Sequence, residues 1–300
     1  MATFDFAHGS GALDFTGRAV VVTGGTRGVG RGIAEAFLAA GADVLVCGRH
    51  PVANDELPEA ADAGGARRRA VFVKADIRQP EQAFSVVEAA VAGFGRIDTL
   101  VNNAGGSPQV DAAAASPRFS TSIVALNLLA PLHCAQAANA VMQTRDEGGS
   151  IVNIGSVSGL RPSPGTAAYG AAKAGLVNLT QTLAIEWAPR VRVNCVSPGM
   201  VATGSPEAVE DHYGGAAGMA AAAATVPLGR FGTPADVAGL CLFLASPLAG
   251  YVTGANLVAN GGGEVPAFLT ALERSGGRSG GSGGSPGTGR GGIGRESGTE

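Results

Sequence analysis

A tyrosine and a lysine with the spacing needed for acid–base chemistry lie in the second half of the chain. Tyr169 and Lys173 are separated by Gly-Ala-Ala. Residues four apart share one face of a helix, so the hydroxyl and the ammonium are expected side by side. A fixed cation lowers the pKa of a tyrosine from its ordinary value of about 10. Such a tyrosine exchanges a proton with a carbonyl or an alcohol oxygen.

Ser156 adds a third group to this pair. It follows the segment from Ser150 to Ile154, whose apolar β-branched residues indicate a buried strand. Its hydroxyl can hydrogen-bond the oxygen that exchanges a proton with Tyr169. The alternative is a helix with an ordinary surface tyrosine and lysine, because this pair alone is common by chance.

A glycine-rich turn near the amino terminus favours the chemical interpretation. The apolar segment from Arg18 to Thr23 indicates a strand, and residues 31–38 have the periodicity of a helix. Between them, Gly24, Gly28 and Gly30 form the pattern Gly-x-x-x-Gly-x-Gly. Strand, glycine turn and helix together are typical of a dinucleotide site, where backbone N–H groups at the helix start bind phosphate.

The order of these motifs resembles that of the short-chain dehydrogenase/reductase family. The resemblance extends over residues 18–263. The matching positions are Thr23-Gly24-Gly25 through Gly30, Asp76, Asn102-Asn103-Ala104-Gly105, Asn127, Ser156, Tyr169, Lys173 and Pro198-Gly199. Several spaced motifs in the family's order are far more specific than any one of them, and the overall pattern looks like that of 3-oxoacyl thioester reductases.

The resemblance implies four catalytic residues. Tyr169 would donate the proton during carbonyl reduction, and Lys173 would lower its pKa and reach the nicotinamide ribose. Ser156 would stabilise the substrate oxygen. Asn127, in an apolar helical segment, would hold a water in the proton relay; its alternative is a core asparagine whose amide is satisfied by the fold.

The resemblance also implies a set of cofactor-binding residues. Asp76 would accept a hydrogen bond from the adenine amino group, and the less favoured alternative is a cap at a strand end. Thr203 would contact the nicotinamide carboxamide. The full predicted set is Gly24, Thr26, Arg27, Gly28, Val29, Gly30, Arg49, Asp76, Ile77, Asn103, Ala104, Gly105, Tyr169, Lys173, Pro198, Gly199, Val201 and Thr203.

The end of the second strand predicts which nicotinamide cofactor is preferred. Family members that bind NAD usually have an acidic residue there, but this strand ends in Gly48-Arg49 and the next acid is Asp55. The Arg49 guanidinium suits a 2′-phosphate, and Arg27 offers a second charge. NADP is therefore predicted over NAD, with solvated surface arginines as the alternative.

Composition and length predict one large α/β domain with a doubly wound parallel sheet and helices on both faces. The chain has 300 residues, of which 45% are hydrophobic, and strand and helix patterns alternate from residue 18. The expected divisions are an N-terminal extension (1–17), the Rossmann-like domain (18–263) and a C-terminal segment (264–300) with a disordered Gly/Ser-rich tail from about 275.

Charge and cysteine usage narrow the choice of partners and compartment. A net charge of −3 gives no sign of nucleic-acid binding, and the arginines at 67–69, 190 and 192 are interpreted as solvated. The four cysteines are far apart and suggest buried thiols rather than disulfides or metal ligands. No secretory signal and no uninterrupted apolar segment of about 20 residues is seen, so a cytoplasmic enzyme is expected.

The substrate and the assembly are less constrained. Residues 204–226 match the family's mobile substrate region, and the insert Gly106 to Arg118 is a candidate second wall. A homotetramer acting on a small carbonyl or alcohol is the expectation that the resemblance implies. The alternatives are an NAD-dependent alcohol dehydrogenase and a non-catalytic nucleotide-binding sensor on the same fold.

Overall fold

A computed structural model describes residues 12–204 and 214–264 of the chain. Their contacts group the described residues up to Gly263 into one compact unit. Most of the predicted N-terminal extension and all but the first residue of the predicted C-terminal segment lie outside the described residues, as does part of the predicted substrate region.

Within residues 12–204 and 214–264, nine strands form two sheets. In chain order they are β1 Ala19–Thr23, β2 Asp43–Gly48, β3 Glu59–Ala61, β4 Arg67–Arg69, β5 Val71–Lys74, β6 Thr99–Asn102, β7 Gly149–Ile154, β8 Val191–Pro198 and β9 Asn256–Ala259. Seven of them pair in parallel in the order β5-β2-β1-β6-β7-β8-β9. The direction of strand order reverses beside β1, and such switch points are where open α/β sheets bind ligands.

Helices cover both faces of the large sheet. They are α1 Gly28–Ala39, α2 Pro80–Phe94, α3 Pro117–Val124, α4 Ala130–Met142, α5 Ala167–Trp187, α6 Gly215–Ala223 and α7 Pro234–Ala245. One core cluster joins the sheet to α1 and α7, and the other joins it to α2, α4 and α5. Every residue of β1 is buried, as expected for a parallel strand that is covered on both faces. The predicted doubly wound α/β fold is therefore confirmed.

The crossover from β2 to β5 departs from the sequence interpretation. Arg67 and Arg69 are exposed, as interpreted, but residues 67–69 also form a strand that was not expected, β4, which pairs with β3 in an antiparallel hairpin. Glu59 forms ion pairs with Arg67 and Arg69, while Arg68 pairs with Asp62 and Asp43. A strand interpretation was missed because three like charges in a row resemble a solvated segment until the facing acids are known.

Arg192 also departs from that interpretation. It is half-buried, and its guanidinium donates to the carbonyl oxygens of Val252 and Ser246 at 3.3 and 3.4 Å. It therefore ties β8 to the segment that leads into β9 and is not a solvated surface arginine. The four cysteines, by contrast, are buried and free, as predicted, and burial raises the pKa of Cys47 to about 11.

One long helical segment contains α3 and α4. A π-helical turn, Ala125–Leu129, joins them into a segment of 26 residues, Pro117–Met142. By length and composition alone it would be able to cross a membrane, a test that core helices of soluble proteins also pass. This segment was not expected from the sequence, in which no uninterrupted apolar segment approaches about 20 residues. α4 packs against α2 and β6, and Cys134, Ala138 and Met142 belong to the core.

Candidate active site

The three groups singled out by their spacing meet at the carboxyl end of β7. Ser156 follows that strand, and its Oγ accepts a hydrogen bond from the backbone N–H of Ser158 at 3.1 Å, which fixes the hydroxyl. Tyr169 lies in the first turn of α5 and shares a side-chain hydrogen bond with Ser156. The Nζ of Lys173 lies 5.6 Å from the centre of the Tyr169 ring. The predicted proximity of the three side chains is therefore confirmed.

Lys173 is deeply buried. Only 3% of it is exposed, and its Nζ donates a hydrogen bond of 2.7 Å to the carbonyl oxygen of Ile154 at the end of β7. Burial lowers the pKa of Lys173 to about 8, and the neighbouring Cys195 thiol acts weakly in the opposite direction. The ammonium is therefore close to its titration point near neutral pH.

The predicted direction of the Tyr169 pKa was wrong. Burial raises the pKa of Tyr169, and the hydrogen bond with Ser156 opposes that rise without cancelling it. Desolvation is therefore the dominant influence on the Tyr169 hydroxyl. A tyrosine with a raised pKa is protonated in the resting site, which suits a group that donates a proton.

Asn127 is fully buried in the π-helical turn. Its Oδ1 accepts from the backbone N–H of Gly106 at 2.9 Å, while its Nδ2 donates to the carbonyl oxygens of Gly106 and Ile123. The side chain therefore has backbone partners, as its alternative interpretation required. A Cβ on Gly105 would lie 2.7 Å from Asn127 Oδ1 and 3.2 Å from Lys173 Nζ, so only glycine lets this loop run between them.

The predicted phosphate turn connects β1 to α1. Gly24 has φ +64°, and a Cβ there would lie 3.0 Å from the Cα of Ala104, so the turn and the loop after β6 touch. Arg27 is the N-cap residue of α1 and is exposed, and no side chain caps the helix. The predicted phosphate-binding residues Gly24, Thr26, Arg27, Gly28, Val29 and Gly30 all fall in this turn and the first turn of α1.

Thr23 was missed as a site residue. Its Oγ accepts hydrogen bonds of 3.0 Å from the backbone N–H groups of Asn103 and Ala104. The Asn103 side chain donates back to the carbonyl oxygens of Thr23 and Gly24. These contacts hold the loop from Asn103 to Gly105 against the glycine turn. A threonine at the end of an apolar buried strand was the available signal.

The residues predicted to bind the adenosine half of the cofactor lie where β2 and β5 end side by side. The backbone N–H of Ala75 donates to the carbonyl oxygen of Gly48, which places Arg49 next to Asp76. Arg49 is exposed, whereas Asp76 is partly buried and paired with Arg78. Ile77 is only 4% exposed and its side chain packs in the core. Only the backbone of Ile77 is thus available to a cofactor, a narrower role than the one predicted.

Four further predicted residues lie at the carboxyl end of β8. Pro198 ends the strand, and the backbone N–H of Gly199 donates to Ala259. Val201 forms an isolated parallel bridge with Gly232. A Cβ on Gly28 would lie 3.5 Å from the Cβ of Thr203, so this segment faces the start of α1. The phosphate turn is therefore bordered by the residues predicted to contact the nicotinamide.

The insert predicted as a second wall of the substrate site is hydrogen-bonded to the loop that precedes α5. The backbone N–H of Val110 donates to the carbonyl oxygen of Gly165 at 2.8 Å, in the loop before α5. Ser163 in that loop hydrogen-bonds both Ser158 and Thr166. The two loops thus lie beside Ser156 and Tyr169. Of the predicted substrate region, 204–226, residues 205–213 lie outside the described residues. Within residues 12–204 and 214–264, His, Cys, Asp and Glu side chains form no cluster of three that could hold a metal.

Comparison with known proteins agrees with this arrangement. The family model described as Enoyl-(Acyl carrier protein) reductase matches residues 24–264. The chain is similar to a solved structure of a short-chain type dehydrogenase/reductase from Mycobacterium marinum, with 32% sequence identity and a TM-score of 0.75, covering 86% of this chain and 99% of that one. The fold and the matched residues define a nicotinamide-dependent oxidoreductase. The chain belongs to the short-chain dehydrogenase/reductase family, which acts on CH–OH and carbonyl groups.

Curated relatives within the family have different substrates. The chain is 34% identical to the 3-oxoacyl-[acyl-carrier-protein] reductase FabG of Chlamydia pneumoniae, over 83% of this chain and 98% of that protein. It is 37% identical to the cyclohexanol dehydrogenase of Rhodococcus sp. (strain TK6), over 83% of this chain and 97% of that protein. Similarity at this level shows the family but does not select a substrate.

Proposed function

We propose that the protein interconverts a ketone and a secondary alcohol with NADP(H), and that Tyr169 is its general acid and base. The observation that carries this proposal is the grouping of the buried Lys173 with the half-buried Ser156 and Tyr169. Ser156 and Tyr169 share a side-chain hydrogen bond, and Lys173 Nζ lies 5.6 Å from the centre of the Tyr169 ring. A surface lysine at chance spacing would keep its ammonium in water. Burial of an ammonium costs free energy, and groups perturbed in this way are found most often at functional sites.

Each of the four predicted catalytic residues has a separate role in carbonyl reduction. Tyr169 is protonated at rest and gives its proton to the substrate oxygen, while the Ser156 hydroxyl donates a second hydrogen bond to that oxygen. Lys173 stabilises the phenolate that remains on Tyr169. Asn127 acts through Gly106, because its side chain holds the loop that borders Lys173. The bound nicotinamide supplies the hydride in this direction and accepts it in the reverse reaction.

The residues around the glycine turn fit a dinucleotide. The first turn of α1 has no side-chain cap, so its N–H groups are open to a pyrophosphate. Arg27 and Arg49 are exposed, and neither forms an ion pair within residues 12–204 and 214–264. Two arginines without acidic partners favour a cofactor that carries a 2′-phosphate, so we propose NADP as the preferred form.

A 3-oxoacyl thioester is our first choice of substrate class. The similarity to a 3-oxoacyl-carrier-protein reductase supports it, whereas the similarity to a cyclohexanol dehydrogenase supports a simple cyclic alcohol. We further propose a homotetramer in the cytoplasm, built from the domain at residues 18–263. Light scattering of the purified protein tests the assembly directly.

The first test combines cofactor binding with one substitution. We expect NADPH to bind more tightly than NADH in a fluorescence titration, and a panel of an acetoacetyl thioester and cyclohexanone to show which ketone is reduced. Tyr169→Phe should keep the cofactor affinity but lower turnover about 100-fold or more, because the proton donor is lost.

Tyr251→Phe is the matched control for this test. Tyr251 is fully exposed, so the same change there should leave turnover intact. Undiminished turnover in Tyr169→Phe would refute the catalytic assignment. Tighter binding of NADH would favour an NAD-dependent alcohol dehydrogenase, and binding of neither cofactor would favour a non-catalytic protein.

A further inference from the structure

A carboxylate lies between two arginines at the adenosine end of the cleft. Arg78 Nε donates to Asp76 Oδ1 at 2.9 Å and to Oδ2 at 3.1 Å, and its second guanidinium nitrogen also contacts Oδ2. The backbone N–H of Arg78 adds a bond of 3.2 Å to Oδ1. One guanidinium thus engages both carboxylate oxygens in a fork, which is the strongest geometry for such a pair.

Arg49 is the second arginine, and it remains unengaged although an acid is nearby. It is close enough that its charge, after the stronger effects of Arg78, contributes to lowering the pKa of Asp76. It nevertheless makes no hydrogen bond or ion pair with any residue in the described ranges 12–204 and 214–264. The Arg49 side chain is exposed at the end of β2.

The two observations are connected by competition for one carboxylate. An unpaired aspartate beside Arg49 would attract its guanidinium, and an arginine held by a carboxylate presents less charge to a ligand. Arg78 follows Asp76 by two residues in the same turn, so it reaches the carboxylate at little entropic cost. The fork of Arg78 therefore fills the site that Arg49 would otherwise occupy.

We propose that Arg78 is a positioning residue for cofactor selectivity: by holding the Asp76 carboxylate, it leaves the Arg49 guanidinium available to a 2′-phosphate. This inference rests on the proposed preference for NADP. Arg78 itself is not a phosphate ligand in this arrangement, because Asp76 neutralises its charge. Loss of the Arg78 side chain therefore weakens the preference for NADP, because Arg49 is then able to pair with Asp76.

Binding of cofactor fragments tests this without any turnover. Calorimetry gives the dissociation constants of 5′-AMP and 2′,5′-ADP. The constant for 5′-AMP divided by the constant for 2′,5′-ADP reports the contribution of the 2′-phosphate alone, because the adenine contacts cancel. NADH and NADPH give the same ratio for the intact cofactors. We expect Arg49→Gln to reduce the wild-type ratio by about 10- to 100-fold, the size of a charge-assisted contact. Arg78→Gln should reduce it by about 5- to 10-fold although Arg49 is intact.

A second variant separates competition from a general disturbance of the loop. In Asp76→Asn/Arg78→Gln there is no carboxylate to capture Arg49, so the ratio should return to within about twofold of the wild-type value. Both fragments should bind this double variant more weakly, because the adenine acceptor is altered. Arg67→Gln, which removes a carboxylate-paired arginine from the β3–β4 hairpin, is the control and should leave the ratio unchanged.

The outcomes distinguish this inference from the cofactor proposal. A reduced ratio in Arg78→Gln that the double variant restores supports it. An unchanged ratio in Arg78→Gln, with a reduced one in Arg49→Gln, refutes the role of Arg78 and leaves NADP preference in place. A ratio that the double variant does not restore would make Arg78 a direct phosphate ligand and also refute the inference. A wild-type ratio near one would overturn the NADP preference itself.

Discussion

Lys173 keeps its ammonium away from water, with the carbonyl of Ile154 as its hydrogen-bond partner. Because burial lowers its pKa to about 8, the charge that stabilises a Tyr169 phenolate is lost as the pH rises through that value. We expect kcat/KM for carbonyl reduction to be level at lower pH and to fall above about pH 8. A pH profile of kcat/KM checks this, because kcat/KM reports groups of the free enzyme.

Replacement of the lysine tests whether it is the titrating group. Lys173→Met should leave a low kcat/KM that no longer falls near pH 8, since no ammonium remains to lose its proton. Because Lys173 belongs to the predicted cofactor-binding set, circular dichroism rather than cofactor binding is used to show that the variant is folded. If the same decline near pH 8 persists in Lys173→Met, another group is responsible for it.

At this scale the sequence predicted which side chains lie close together but not their energetics. The spacing of Tyr169 and Lys173 predicted their proximity, because helix geometry fixes which residues share a face. The direction of the Tyr169 pKa depends on how much water the surrounding fold excludes, and no spacing rule contains that information. The Asp76–Arg78 pair escaped notice for a similar reason, since sequence proximity alone does not show that two side chains turn toward each other.

Among the elements, α5 is held to the sheet by a buried polar network. Asn102 of β6 donates to Asn153 of β7 at 2.9 Å, and Asn153 donates to Thr180 of α5 at 2.9 Å. All three side chains are almost completely buried. Thr180 lies seven residues after Lys173 and thus on the same face of the helix. The network fixes the position of the helix that carries Tyr169 and Lys173.

We expect Asn153→Leu to lower the free energy of unfolding by about 1–3 kcal/mol, because Asn102 Nδ2 loses one of its two acceptors in a dry environment and keeps only the Pro131 carbonyl. Urea denaturation measures this change. Asn178→Leu is the matched control, since Asn178 is exposed on the same helix and its replacement should cost under about 0.5 kcal/mol. Equal effects of the two substitutions would show that the buried network contributes nothing specific.

Elements with a local signal were predictable, and those defined by distant partners were not. A threonine followed by a proline and, three positions on, an aspartate is a local signal for a helix start, and Thr233 and Asp236 form a capping box at the start of α7. The β3–β4 hairpin had no such signal. Its arginines become a strand only because Glu59, Asp62 and Asp43 face them.

For the whole molecule, the parallel sheet followed from alternating strand and helix patterns, because parallel strands need crossover connections. Those patterns do not predict the ion cluster at the amino ends of the central strands, opposite the carboxyl ends where the site lies. Asp98, just before β6, is 7% exposed and accepts from the backbone N–H of Ala19 at 2.8 Å. Arg18 and Arg96 pair with the same carboxylate. This one side chain therefore connects the starts of β1 and β6.

A fall in pH should lower the free energy of unfolding, because it protonates the Asp98 carboxylate. Burial alone would raise the pKa of Asp98, but hydrogen bonds from Arg96 and Ala19 and the nearby guanidinium charges outweigh it, so the pKa lies below the ordinary 3.8. A carboxyl with a lowered pKa stabilises the folded state fully above its ordinary pKa, and that stability is lost as the pH falls through the lower, folded-state pKa. We expect Asp98→Asn to reduce the free energy of unfolding by about 1–3 kcal/mol at pH 7 and by progressively less below pH 4. Urea unfolding of both proteins from pH 7 to pH 3 measures the difference, and a gap that stays constant with pH would mean that the charge of Asp98 is not what holds these strands.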